Sequence, residues 1–144
     1  MYYKTVSFVD WIDSLTQEID DFSEKFSEKK TFNVPNYPKS NFYWSKEKGG
    51  IIELALAGFS KENITMSVED SVLRIKGKVD KEFESDYEKI VNGISERAFE
   101  FPVRFSSEII DVEKINSTFK DGLLTVFLPM KEEAKPIKRE IEIK

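Results

Sequence analysis

The sequence predicts an all-β domain, a sandwich of short strands carried between two arms of different character. Three observations predict it. From Ile51 onward the apolar residues recur with a period of two, in short runs. Turn signals part those runs, with Asp121-Gly122 the strongest because Gly readily takes positive φ in a tight hairpin. No sustained helical period interrupts the domain, which argues against a parallel α/β sheet. The spacing of runs and turns is that of a β-sandwich. At 144 residues the chain has room for one such domain with flanking arms, but hardly for two cores.

The first segment has a different period. Phe8, Ile12, Leu15, Ile19, Phe22 and Phe26 follow one another at alternating intervals of four and three, and Trp11 widens the stripe. Asp10, Asp13, Glu18, Asp20, Asp21 and Glu24 fill other faces, so residues 1–36 read as an arm containing an acidic amphipathic helix. No second helix follows in sequence for it to pack against. Its apolar stripe either docks on its own domain, pairs with another copy, or engages other proteins.

Between Glu28 and Trp44 the chain carries Pro35, Pro38 and several Asn and Ser residues, which reads as a linker ending in a short strand at Phe42–Trp44. The domain, residues 37–130, then places strands at Ile51–Ala57, Ile64–Val68, Val72–Lys78, Glu96–Arg104, Ile115–Lys120 and Leu123–Leu128. Ile64, Met66 and Val68 share one strand face, as do Leu124, Val126 and Leu128. Gly49-Gly50 and Glu69-Asp70-Ser71 are further turn candidates. The stretch Val79 to Gly93 is long for a hairpin connection, and such loops are functional or disordered. Its second half, around Tyr87, Ile90 and Val91, has the composition of one more strand, tethered loosely enough to pair with a different subunit; a solvated charged loop is the alternative. Residues 131–144 form a charged extension that ends in "IEI", where Ile141 and Ile143 alternate with charge as a strand would.

Composition narrows the chemistry. The chain has no Cys, so it holds no disulfide or thiolate metal site, and no His, which removes the commonest general base and metal ligand. An enzyme would need paired carboxylates or a Ser-Lys dyad, and the Asp and Glu residues cluster instead on polar faces and in turns. No Walker-type G-x-x-x-x-G-K-[ST] pattern supplies an ATP site, and no EF-hand pattern supplies a metal site. A net charge of -5 argues against nucleic acid as a partner. No apolar run approaches the roughly 20 residues of a membrane span, and the amino terminus lacks the basic-then-apolar plan of a secretory signal. The expectation is a cytoplasmic, protein-binding chain without cofactor or metal.

Several motifs, in order, resemble the small heat shock protein family, with its α-crystallin domain. "INSTFKDGLLTVFLP", Ile115 to Pro129, is similar to the family signature A-x-x-x-x-G-[VL]-L-T-V-x-x-P, with Ser117 where Ala is usual. "LALAGFSKENITMSVEDSVLRIKGK", Leu54 to Lys78, resembles the family's apolar strand, Gly-Phe turn and strand pair, with Ala57 where many members have Pro. "GISERAFEF", Gly93 to Phe101, is most like the bacterial inclusion-body-binding branch. "IEI" at Ile141 to Ile143 matches the family's I-x-I/V tail. In "FEFPVRF", Phe101 and Pro102 stand where many members carry basic residues.

The resemblance implies an immunoglobulin-like sandwich whose subunits dimerise by exchanging the strand within the long loop, at Tyr87, Ile90 and Val91. It implies that Ile141 and Ile143 of one subunit enter an apolar groove on another, lined by Ile64, Met66, Val68, Ile115 and Phe119. The function implied is that of an ATP-independent holdase, a homo-oligomer built from dimers that binds unfolding client proteins and leaves refolding to ATP-dependent chaperones. Phe8, Trp11, Ile12, Leu15, Ile19, Phe22 and Phe26 are the expected client-binding surface. A tail folded back as an edge strand on its own domain is the alternative for Ile141 and Ile143. A monomeric adaptor of the related CS-domain type, or a structural sandwich, competes with the whole reading.

Overall fold

A computed structural model describes residues 6–7, 34–80 and 86–144. Its strands are β1 (Val6–Ser7), β2 (Ser40–Ser45), β3 (Gly49–Ala55), β4 (Ile64–Glu69), β5 (Val72–Gly77), β6 (Phe99–Arg104), β7 (Asn116–Lys120) and β8 (Leu123–Pro129). They form two four-stranded sheets, one in the order β1-β6-β5-β4 and the other β2-β3-β8-β7. All pairs are antiparallel except the two-residue β1, which lies parallel to Val103–Arg104 at the end of β6.

The alternation in sequence becomes the two faces of each strand. On β8, Leu124, Val126 and Leu128 point inward and are buried, against Ile52 and Leu54 of β3 in the same sheet. Leu73 and Ile75 of β5 and Phe99, Phe101 and Val103 of β6 supply the other inner face. Leu56, Phe105 and Ile110, from connections rather than strands, complete the core. Burial of each such side chain stabilises the fold by about 1.5–3 kcal/mol.

Both two-residue hairpins are built on positive φ. Asp121 and Gly122 have φ of 55° and 76° between β7 and β8, and Asp70 and Ser71 have 50° and 61° between β4 and β5. These are the left-handed turns whose twist matches that of paired strands.

Several strand boundaries differ from the sequence reading, three of them for a visible physical reason. Gly49 and Gly50 are not a turn but the first residues of β3, paired with Ser45 and Trp44 on one side and Pro129 and Leu128 on the other. Gly49, at φ 96°, is needed there because a Cβ would meet the Leu128 carbonyl. The same strand ends at Ala55, as the Leu56 N–H leaves the ladder for the Gly122 carbonyl at 2.7 Å. β6 begins at Phe99, because Glu96 and Arg97 are engaged by the residues described below.

The two sheets have a fixed alignment. Phe42 of β2 stacks on Phe101 of β6, ring centroids 6.2 Å apart and planes 22° from parallel. β4 ends the first sheet and β7 ends the second, so each presents an edge among the described residues.

Candidate functional site

The edge strands β4 and β7 carry the residues that the sequence reading assigns to the groove. Ile64 and Met66 of β4 face inward, paired with Gly77 and Ile75 of β5, and both pack half-buried against the core. Phe119 of β7, opposite buried Leu124, does the same from the other sheet, and so does Ile115, which lies one residue before β7. Val68 shares the face of Ile64 and Met66 but is 37% exposed, at the outer end of the strip. Each edge strand also leaves one row of backbone N–H and C=O groups without a strand neighbour among the described residues. An apolar cleft beside unpaired backbone can accept an extended segment with alternate apolar side chains.

The tail offers such a segment. After β8, a short turn of 3₁₀ helix at Glu132–Ala134 leads into residues 135–144, where no strand is formed. Ile141 and Ile143 are 88% and 95% exposed. Among the described residues the tail does not pair as a strand with its own domain, and its I-x-I isoleucines stand in solvent.

The long loop behaves in the same way. Among its described residues, 86–98 form no strand. Ile90 and Val91 are 90% and 81% exposed, and Tyr87 and Ile94 are largely exposed too. Soluble chains seldom leave such a group of apolar side chains in water without a use for it. The amino-terminal stripe, Phe8, Trp11, Ile12, Leu15, Ile19, Phe22 and Phe26, lies outside the described residues.

Two features escape the sequence reading. The first is a row of side chains across the outer face of the second sheet, Tyr43, Ile51, Phe127 and Asn116, which are successive register partners on β2, β3, β8 and β7. They line a shallow hollow of about 550 Å³ together with Trp44 and Pro129. The Glu53 carboxylate beside the Tyr43 hydroxyl holds that phenol above its ordinary value. The second is a clamp at the foot of the long loop. Tyr37 Oη accepts a hydrogen bond from the Arg97 N–H and donates one to the Arg97 carbonyl, both at 3.2 Å. The Arg97 guanidinium lies over the same ring, 4.4 Å from its centroid. Tyr37 and Arg97 are remote in sequence, so no local spacing points to the pair.

With the sandwich, its edge strands and its exposed segments described, comparison with known proteins defines the class. The Hsp20/alpha crystallin family profile matches residues 43–144. The chain belongs to this family. It is 29% identical over 139 residues to Small heat shock protein C1 of Rickettsia bellii, covering 96% of this chain and 80% of that one. Small heat shock protein HspE of Bradyrhizobium diazoefficiens is 32% identical over 114 residues, 77% of this chain and 72% of the relative. Among solved structures, Heat shock protein 16.0 from Schizosaccharomyces pombe matches with a TM-score of 0.53 and 30% identity, over 74% of this chain and 97% of that one. The small heat shock protein from Synechococcus phage S-ShM2 matches with a TM-score of 0.58 and 31% identity, over 74% and 99%.

Membership supports a chaperone role, and small heat shock proteins are ATP-independent chaperones rather than enzymes. Among the described residues, no helix is long and apolar enough to cross a membrane.

Proposed function

We propose that the chain is an ATP-independent holdase that works in the cytoplasm as an oligomer of dimers. It binds apolar surface on unfolding clients through Phe8, Trp11, Ile12, Leu15, Ile19, Phe22 and Phe26, and releases them to ATP-dependent chaperones. The observation that carries the reading is the presence at the edge strands β4 and β7 of half-buried apolar residues, Ile64, Met66, Ile115 and Phe119, together with a tail sequence whose Ile141 and Ile143 stand 88% and 95% exposed.

The tail of one subunit adds as a short strand along the margin of another, Ile141 and Ile143 turned into the cleft and Glu142 to water. Burying two isoleucines stabilises the contact by roughly 3–6 kcal/mol in gross terms, and the cost of ordering the tail offsets much of that. One contact is weak. Several in a closed particle reinforce each other, so the particle persists while tails exchange.

Dimers form when the segment containing Tyr87, Ile90 and Val91 pairs with the outer edge of β2 in a second copy. Since β2 ends its sheet, an added strand would extend the row Tyr43, Ile51 and Phe127 by one more apolar side chain.

The test is the native mass of the intact protein beside Ile141→Ala/Ile143→Ala. The expected result is a large assembly that falls to dimers in the variant. Monomers in both would remove the reading and favour a monomeric adaptor of the CS-domain type. Client binding is tested by Trp11→Ser/Ile12→Ser/Leu15→Ser, which is expected to lose protection of a heat-denatured client with the sandwich still folded. Undiminished protection would move client binding to the domain itself.

A further inference from the structure

The loop between β5 and β6 is held at both feet. At its start, the Lys78 N–H donates to the Asn63 carbonyl at 3.0 Å. At its end, Tyr37 grips the Arg97 backbone with two hydrogen bonds and its side chain with the face of the ring. Glu96, the neighbour of Arg97, is seated on Gly58, where a Cβ would fall on the Glu96 carboxylate. Phe99 makes edge-to-face contacts with Tyr37 and Phe59, with centroids 6.1 and 5.5 Å away. Between these fixed feet the apolar residues Ile90 and Val91 project into solvent.

Tyr37 occupies a second position of consequence. It lies just ahead of β2, the end strand of its sheet, so the clamp joins the foot of the loop to the root of that strand.

We propose that the Tyr37–Arg97 clamp is a positioning device for dimerisation: it holds each chain's donor loop and acceptor strand in one rigid frame. The inference rests on the exchange reading above. A two-fold exchange uses the same surfaces on both copies, and both crossings must be satisfied at once. If the loop foot moved independently of β2, each crossing would have to order it anew, and that entropy would be lost from the association free energy. With the foot fixed to β2, much of the ordering is complete in the free subunit. Tyr37 touches no part of the partner in this scheme; it acts through Arg97.

The experiment uses the full chain carrying Ile141→Ala/Ile143→Ala, with the dimer-monomer equilibrium followed by native mass spectrometry on dilution. Tyr37→Phe removes both hydrogen bonds but keeps the ring against Phe99 and under Arg97. It is expected to raise the dimer dissociation constant about tenfold, while the thermal midpoint of the diluted monomer stays close to that of its parent. Arg97→Lys, which keeps the backbone bonds, is expected to weaken the dimer less. Ile90→Ser/Val91→Ser is the control for exchange itself and is expected to give monomers. A Tyr37→Phe dimer as tight as its parent, beside a monomeric control, overturns the clamp and leaves exchange standing. A control that still dimerises like its parent, or a parent that never dimerises, overturns exchange and the clamp with it.

Discussion

Gly77 lies directly under the ring of Phe99, its register partner across β5 and β6: a Cβ on Gly77 would come within 2.2 Å of Phe99 Cε1. The ring cannot simply swing away, since Tyr37 and Phe59 also pack against it in edge-to-face contacts. Gly77→Ala is therefore expected to destabilise the domain by about 1–3 kcal/mol, the usual cost of overpacking. Urea denaturation measures it, and Phe99→Leu in the same chain should recover part of the loss by vacating the space.

Phe101 carries a larger share of the core. It is fully buried and stacked on Phe42, so it holds one sheet to the other as well as filling volume. Phe101→Ala is expected to cost about 3–5 kcal/mol, whereas Phe101→Leu should cost distinctly less. A lost near-ultraviolet circular dichroism signal together with a lowered denaturation midpoint would report the loosened sheets.

The two hairpin turns differ by one residue and should respond oppositely to exchange. Ser71 sits at φ 61° without the freedom of glycine, and Gly122 sits at φ 76° with it. Ser71→Gly is expected to stabilise by up to about 1 kcal/mol, relief of backbone strain exceeding the extra freedom of the unfolded chain. Gly122→Ser is expected to destabilise by about 1 kcal/mol. Thermal unfolding of the two variants, measured side by side, checks both signs.

The carboxylate of Glu132 is held below the usual range by Lys135, whose ammonium lies 2.6 Å from it. A depressed folded-state value favours the folded chain above the unfolded value, and this contribution is lost as pH falls through the lowered one. It is thus fully present at neutral pH and disappears only in acid. Tyr43 has the opposite sign. Its raised phenol favours folding below 10.0, and that contribution is lost as pH rises through the higher folded value. Both groups are open to solvent, so the observable is titration rather than stability: Lys135→Ala should return Glu132 to the ordinary range, and Glu53→Gln should lower Tyr43, each followed by nuclear magnetic resonance.

The strands of the sandwich were legible wherever one face meets the core and the other meets water. Leu124, Val126 and Leu128 show that alternation plainly, and Asp121-Gly122 marks the turn before them because its chemistry is local. Gly49 and Gly50 look like a turn in sequence because their partners, Pro129 and Leu128, lie at the far end of the domain, and only the close approach of that backbone explains Gly49 in a strand. Glu96 and Arg97 were placed in a strand for the same reason, since nothing near them in sequence announces Tyr37. Ile64, Met66 and Phe119 are readable from periodicity, but that β4 and β7 each end a sheet follows only from the pairing of strands far apart in sequence.

The pairing of β3 with β8 also governs how the protein comes into being. β3 has a fully buried inner face and β8 is the last strand of the domain, so Ile52 and Leu54 acquire their partners Val126 and Leu124 only when the end of the domain has left the ribosome. Until then the nascent chain displays uncovered apolar strands, and non-local pairing of this kind closes on the slower timescale of β-sandwiches, about milliseconds to seconds. During its own synthesis the chain passes through the aggregation-prone condition from which its family protects others.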